Sequence, residues 1–437
     1  MLMEPPVNAR APLAVLLKGA VGSVLLKGVN LLLGLLATAF LGRILMPQQY
    51  GYYSFASTAV TLLAMPVQCG LPQLMMREIA KYQLAEQWGH IRGLLLRANQ
   101  LVGLLGFVVV VVLAFVLPSL ARLVPAVDKP TFVWAIVLLP LIALNRLRGG
   151  ALLGLRKVVL GLLPDNGVRA VLFLVFILLW WRLLPFNAAV AMALQVAATL
   201  IAFVSGAVLL MRHLPAKVHG AVASFESRTW LSAIIPLTLT DALLIFNMQA
   251  DLLVLGVFRS AADVGIYRAA TLVAVQASIG LAVASEVLAP HIARLYQARD
   301  HAGLRSLVRH AQIGLVVSGA LLAGFCMLFG RHILVFVFGA AYADGTTALA
   351  ILAFGQFLAV AAGTGSVLLN MSGHEKDVLW VFALSAATNL AANVLLVPSF
   401  GMLGAALATA GCQLFTNGML VYFVWCRLKL PLWFSWN

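Results

Sequence analysis

A chain of 437 residues that is 63% hydrophobic and 10% charged, with a mean hydropathy of +1.02, lacks the charge to cover a water-exposed surface; soluble domains carry about a quarter charged residues. The bilayer is the solvent this composition selects. A formal net charge of +15 suggests nucleic acid, but the Lys and Arg residues lie in short segments between apolar runs, so no nucleic-acid partner is expected. Cys69, Cys326, Cys412 and Cys426 lie in or beside apolar segments with no C-x-x-C pair, which reads as small buried hydrophobes rather than a disulfide or metal framework. No cofactor is implied.

From Met1 to Arg10 the chain runs into an apolar stretch that lasts to about Phe40. A signal-peptide core spans only about 7–15 residues, so this stretch is expected to stay as the first spanning helix. Each crossing needs about 20 apolar residues. Reading apolar runs between polar breaks predicts about twelve, with cores near 19–40, 51–70, 96–117, 131–145, 159–181, 188–211, 231–256, 265–289, 311–329, 347–370, 378–397 and 402–425. The expected fold is an all-α membrane protein.

Lys and Arg set the orientation. One set of alternating loops holds Arg10, Lys18, Arg77, Lys81, Arg92, Arg97, Arg146, Arg148, Arg156 and Lys157, then Arg212, Lys217, Arg228, Arg294, Arg299, Arg305, Arg309, Lys376, Arg427 and Lys429. The opposite set holds Arg43, Arg122, Lys129, Arg182, Arg259 and Arg331. The richer side is expected to be cytoplasmic, with both termini there. The segment from Arg294 to Arg309 reads as a basic surface helix on anionic headgroups.

The chain also repeats itself. Gly42, Gly51 and Tyr53 recur at one constant offset as Gly256, Gly265 and Tyr267, and Phe186 falls on Phe400 at the same offset. This predicts two parallel six-helix repeats around a central cavity: a lobe over 1–215, a cytoplasmic linker over 216–227 and a lobe over 228–437. Glycine tolerates tight exits and close approach, and tyrosine suits the headgroup level. The two copies are therefore expected to act as elbows about which the lobes rock, bringing Arg43 and Arg259 together at one stage of the cycle.

The run Leu41-Gly42-Arg43-Ile44-Leu45-Met46-Pro47-Gln48-Gln49-Tyr50-Gly51 resembles the opening signature of the O-antigen and capsular polysaccharide flippases. These form one family of the multidrug/oligosaccharidyl-lipid/polysaccharide exporter superfamily. Gly70-Leu71 with Arg77-Glu78-Ile79-Ala80 is similar to the family's stretch just after that signature, and Asp251, Leu255-Gly256 and Val264-Gly265-Ile266-Tyr267 to the opening of its second half. Met46 stands where the family often has glycine, a change expected to affect only loop shape. The resemblance implies transfer of an undecaprenyl-pyrophosphate-linked glycan from the cytoplasmic to the periplasmic leaflet of a bacterial inner membrane. It also implies a rocking cycle driven by an ion gradient, with a polysaccharide polymerase or chain-length regulator as candidate partners.

Ionisable residues inside spans usually face a cavity. Lys27 shares a face with Ser23, Asn30 and Thr38, and is either a pyrophosphate contact or a snorkelling lysine. Asp165 and Arg169 stand at i, i+4 after Pro164, forming an ion pair or offering Arg169 to the cavity. Thr240, Asn247 and Asp251 share a face of span 7, with Asp241 nearby. Arg268 and Glu286, eighteen residues apart, fall on the same face of span 8 and are expected to look into one vestibule. Asp241, Asp251 and Glu286 are the candidate ion-coupling groups, against a bland reading as helix-end anchors. Arg77, Lys81, Arg146 and Arg148 are either a capture site for the pyrophosphate or topology signals. Asn389 and Asn393 read as interhelical glue.

An enzyme such as a glycosyltransferase or polymerase would need paired carboxylates or a long loop with catalytic groups, and neither is present. A drug or cation antiporter of the same superfamily would want acids dominating the path, whereas Lys27, Arg169 and Arg268 make these span interiors at least as basic as acidic.

Overall fold

The computed structural model describes residues 13–182 and 185–429; its described side chains begin at Leu26 and leave out Lys27, Arg228, Thr240, Leu244, Ala282, Val283, Glu286, Pro290 and His301. The expectations for the N-terminus with Arg10 and Lys18, and for Lys27 and Glu286, therefore lie outside the described residues. The first seven helices are α1 (Leu13–Gln68), α2 (Leu71–Leu84), α3 (Trp88–Leu123), α4 (Lys129–Gly154), α5 (Val158–Leu162), α6 (Arg169–Trp180) and α7 (Ala188–His213). After a short α8 (Ala216–Gly220) come α9 (Ser227–Phe258), α10 (Ala261–Val275), α11 (Ile279–Gln297), α12 (His301–Phe338), α13 (Thr346–Ala362), α14 (Gly365–Met371) and α15 (Glu375–Leu428). Such apolar runs become helices because hydrocarbon offers the backbone no partner, so each N–H and C=O must be satisfied within its own segment.

Among the described residues, nine helical segments are long and apolar enough to cross a membrane. α9 makes a tenth, bent by 50° between Thr229–Leu243 and Ile245–Phe258. Two of the segments are far longer than one crossing needs. α1 has 56 residues and α15 has 54, about 80 Å each where about 30 Å of hydrocarbon must be spanned. Each is broken once by a left-handed residue: Met46 (φ 59°, ψ 165°), just before Pro47, and Gly401 (φ 58°, ψ −132°), just after Pro398. Divided there, the described residues hold twelve candidate crossings, consistent with the expected number. The protein is an all-α, multi-pass membrane protein.

Besides the bent α9, three expected spans are not single regular helices. Residues 159–181 contain a π-helical turn at Leu163–Val168; Pro164 lies in it and has no N–H to donate, so the ladder loosens there. Residues 265–289 are interrupted by a 3-10 turn at Gln276–Ser278. That turn shifts the helical phase, so spacing alone does not put Arg268 and Glu286 on one face. Residues 347–370 break at Gly363, where φ is 69°.

The two halves meet through the repeated glycines. A Cβ on Gly51 would overlap the Ala261 carbonyl oxygen, and one on Gly265 would overlap that of Pro47. Pro47 and Ala261 are themselves related by the repeat offset, so the contact is reciprocal. Gly42 faces the Phe338 ring, and its carbonyl accepts from the Tyr342 hydroxyl at 2.7 Å. Gly256 faces the Phe55 ring, and its carbonyl accepts from the Ala126 N–H at 3.4 Å. All four motif glycines thus close one end of the molecule, here called the glycine end. Tyr53 and Tyr267 do not sit at a wet headgroup level as expected. Both are buried, each inside its own half, because each hydroxyl has a polar partner there.

Candidate functional site

Under the glycine contact, Tyr50 is 1% exposed, its ring 6.5 Å from that of Tyr53 and 6.3 Å from that of Tyr342. Among the described residues its hydroxyl has no hydrogen-bond partner, and Arg268 of α10 and Ser54 stand beside it. Arg169, at the start of α6, lies within electrostatic reach of Tyr53. Its Nε donates to Asp165 Oδ1 at 2.7 Å, across the π turn. One arginine from each half therefore flanks a single tyrosine pair. Arg268 is the less committed of the two, with no carboxylate within ion-pair distance among the described residues.

Each half also holds a buried polar group against its motif tyrosine. The Tyr53 hydroxyl donates to Gln195 Oε1 at 2.6 Å. The Tyr267 hydroxyl donates to Asp251 Oδ2 at 2.6 Å, the Thr409 hydroxyl donates to the same oxygen at 3.2 Å, and the Leu252 N–H donates to Oδ1 at 2.8 Å. Asp251 is 6% exposed and has no basic ion-pair partner among the described residues. Three donors on one carboxylate are what a buried charge without a counter-ion needs. Nearby, Asn247 donates to the Phe382 carbonyl and accepts from the Ser385 hydroxyl, which in turn accepts from Thr416. The face with Asn247 and Asp251 thus points into the second half itself. Asn393 donates to the Asn389 side chain one turn away.

The opposite, basic end divides the expected arginine cluster. Arg77 and Lys81 both neutralise the buried Glu78, at 3.0 and 3.6 Å. Arg146 donates weakly to Gln68 and lines a cavity of about 300 Å³ with Gln73, Asn145, Asp165 and Asn166. Its charge acts on both Asp165 and Asp241. Asp241 Oδ1 accepts from Gln73 Nε2 at 2.6 Å, a bond between α9 and α2 that links the halves. Arg148 is elsewhere: it stacks on Phe203 at 3.9 Å and donates to the Leu144 carbonyl. It turns away because it falls on the α7 side of α4, where an aromatic face accepts its guanidinium.

The segment between α8 and α9 is strapped to α2 and α3. Ser224 N–H donates to the Gly89 carbonyl, and Arg92 donates to the carbonyls of His219 and Ala221. The Trp230 indole donates to the Tyr82 hydroxyl at 2.9 Å, which donates to Glu226 at 3.1 Å. Burial pushes the Tyr82 hydroxyl up to about 12, so this relay stays protonated at neutral pH.

Sequence reasoning passed over Tyr50, Gln195, Thr409, Gln73 and Glu78. Gln195 and Thr409 are related by the repeat offset, so the duplication carried a signal for that pair. Tyr50 stood inside the quoted signature. Glu78 stood inside the quoted Arg77-Glu78-Ile79-Ala80 stretch, whereas for Gln73 no signal distinguishes it from other polar residues near a helix end.

The structure is similar to an inward-facing multidrug resistance MATE family transporter of the MOP superfamily (TM-score 0.75, 17% identity, 94% of this chain and 98% of that one). It is similar to the lipid II flippase MurJ in an inward closed conformation (TM-score 0.73, 13% identity, 92% and 87%). A MOP superfamily transporter from Pyrococcus furiosus, whose binding pocket is described as having reversed polarity, is similar at a TM-score of 0.62 with 16% identity over 95% of each chain. At these identities the likeness establishes the fold. A search of the curated proteins gives no significant match. A family model described as "Polysaccharide biosynthesis protein" matches residues 16–296, well over half of the chain. The chain belongs to the polysaccharide biosynthesis protein family and shares its fold with these transporters.

Proposed function

We propose that the protein carries a polyprenyl-pyrophosphate-linked oligosaccharide from the cytoplasmic to the periplasmic leaflet of a bacterial inner membrane by alternating access. One observation carries this reading. Arg169 and Arg268, from opposite halves, flank the buried Tyr50–Tyr53 pair at the inner face of the glycine contact. A pyrophosphate between the halves would meet cationic donors from both, and would gain or lose them as the halves separate. Arg146 and Arg77 offer an approach from the basic end, with Lys27 beside it by sequence. Arg148, held on Phe203, is left out.

In this reading the lobes 1–215 and 228–437 rock about the linker 216–227, both termini and the basic end face the cytoplasm, and the glycine end faces the periplasm. The likeness to inward-facing and inward-closed relatives supports the same state here, since the glycine end is shut. Asp251, buried with hydroxyl donors and no cation, is the group best suited to take up the coupling ion; Asp241 and Glu286 are lesser candidates.

The test is a deletion strain complemented with variants at matched expression. Arg169→Ala and Arg268→Ala should each leave lipid-linked oligosaccharide accumulating on the cytoplasmic leaflet and no glycan at the surface. Normal surface glycan in both would sink the reading. The likeness to a multidrug transporter favours a second reading, export of cationic drugs. That reading requires the deletion strain to be drug-sensitive with its surface glycan intact.

A further inference from the structure

A second cavity, of about 500 Å³, lies behind α2, in the seam between the halves. α2 separates it from the transport path: Leu71 and Leu74 line this cavity, whereas Gln73 and Met76 line the smaller one that holds Arg146. Its walls come from both halves, with Leu94, Ala98 and Leu101 of α3 on one side and Trp230, Leu231 and Ile234 of α9 on the other. The depth is apolar. The Trp230 N–H, which would otherwise be a donor there, is given to Tyr82. Leu104 and Leu231 at the rim are 61% and 57% exposed, so the cavity opens sideways toward lipid.

The polar groups are confined to one edge, where Arg97, Gln100 and Ser227 join the lining; among the described residues no acid does. Arg97 stands where the polar first turns of α3 give way to its apolar run, the level at which headgroups lie. It rests against the Phe225 ring at 5.2 Å and has no ion-pair partner among the described residues. Arg92, one turn earlier, is already committed to two linker carbonyls. An apolar slot of acyl-chain character with a free cation at its headgroup edge fits one class of ligand.

We propose that this seam binds an anionic phospholipid, with one acyl chain between α3 and α9 and the phosphate on Arg97. The occupant is a phospholipid and not the polyprenyl carrier, because α2 stands between this slot and the arginines of the path. Bridging walls from both halves, the lipid would be held in the state described here and released when α9 moves away from α3.

Native mass spectrometry of the full chain in detergent tests this, with phosphatidylglycerol, phosphatidylethanolamine and undecaprenyl phosphate titrated in turn. The protein should retain a single phosphatidylglycerol about fivefold better than phosphatidylethanolamine, the effect of one arginine near a headgroup. Arg97→Gln should erase that preference. Leu104→Trp, at an exposed rim position, should cut retention of both phospholipids, with thermal unfolding unchanged in either variant. Equal retention of the two phospholipids by wild type, or an undiminished preference in Arg97→Gln, overturns the proposal. Displacement of phosphatidylglycerol by equimolar undecaprenyl phosphate also overturns it and gives the slot to the carrier.

Discussion

The two halves share a skeleton and differ in the polar group held against the motif tyrosine. At the repeat offset, Tyr53 matches Tyr267, Gln195 matches Thr409, and Ala37 matches Asp251. The first half closes its polar core with a neutral bond, Tyr53 to Gln195. The second places an acid among the same partners, Tyr267 and Thr409. The repeated glycines are used alike in both, each against the opposite half. The duplication thus keeps what holds the halves together, while only the second half has an acid against its motif tyrosine. This asymmetry is what the proposed ion coupling through Asp251 would use, since a coupling ion must bias one state over the other.

The largest expected effect comes from breaking what the halves share. Gly51→Val or Gly265→Val would drive a Cβ into a backbone carbonyl that no rotamer change can move. The closed glycine end should be lost and surface glycan with it. Cysteines at Pro47 and Ala261 should crosslink in wild type and fail to do so beside either valine. Gly103→Ala, which meets nothing within 4 Å, is the control and should be silent. Efficient crosslinking in the valine variants would show that the two halves do not close through these glycines.

Next comes what the halves do not share. Tyr267→Phe removes a donor from a buried carboxylate and should cost about 1.5–3 kcal/mol, whereas Tyr53→Phe removes a neutral bond worth about 0.5–1.5 kcal/mol. Unfolding in detergent would measure both. Asp251→Asn should keep the fold and abolish the dependence of transport on the ion gradient. Equal costs for the two tyrosine changes would remove the asymmetry argued above.

The comparison also shows what the sequence could carry. The spans, the duplication and the meeting of the halves at Gly42, Gly51, Gly256 and Gly265 were legible, because apolar length and exact repetition are properties of the chain itself. Which residues face one another was not. Arg43 and Arg259 donate to the carbonyls of Phe336 and Pro398, partners that spacing along the chain does not name. Arg148 stands two residues from Arg146 in sequence, yet about 100° per residue turns them to different neighbours. Composition alone places the motif tyrosines among the headgroups, although an internal partner outweighs that preference once the hydroxyl can be satisfied in the core.

The smallest expected effect lies at Met46. Its counterpart, Ser260, ends one helix and begins the next in the ordinary way, with φ −66° and its hydroxyl accepting from the Asp263 N–H. Met46 makes the same corner without a cap, at φ 59° and ψ 165°, a region that is essentially reserved for glycine and costs other residues about 1–3 kcal/mol. The departure from the family's usual glycine therefore bears on backbone strain and not on loop shape alone. The Met46 side chain is 55% exposed, so little packing is lost with it. Met46→Gly should raise stability by about 1 kcal/mol, the relieved strain less the added freedom of glycine in the unfolded chain. Gly401→Ala, at the other left-handed corner, should lower it by a similar amount, about 1 kcal/mol. Thermal unfolding of both variants in one detergent would check the pair. If Met46→Gly is destabilising, the corner is held by its side chain and not strained by it, and the two breaks in the long helices are made by different means.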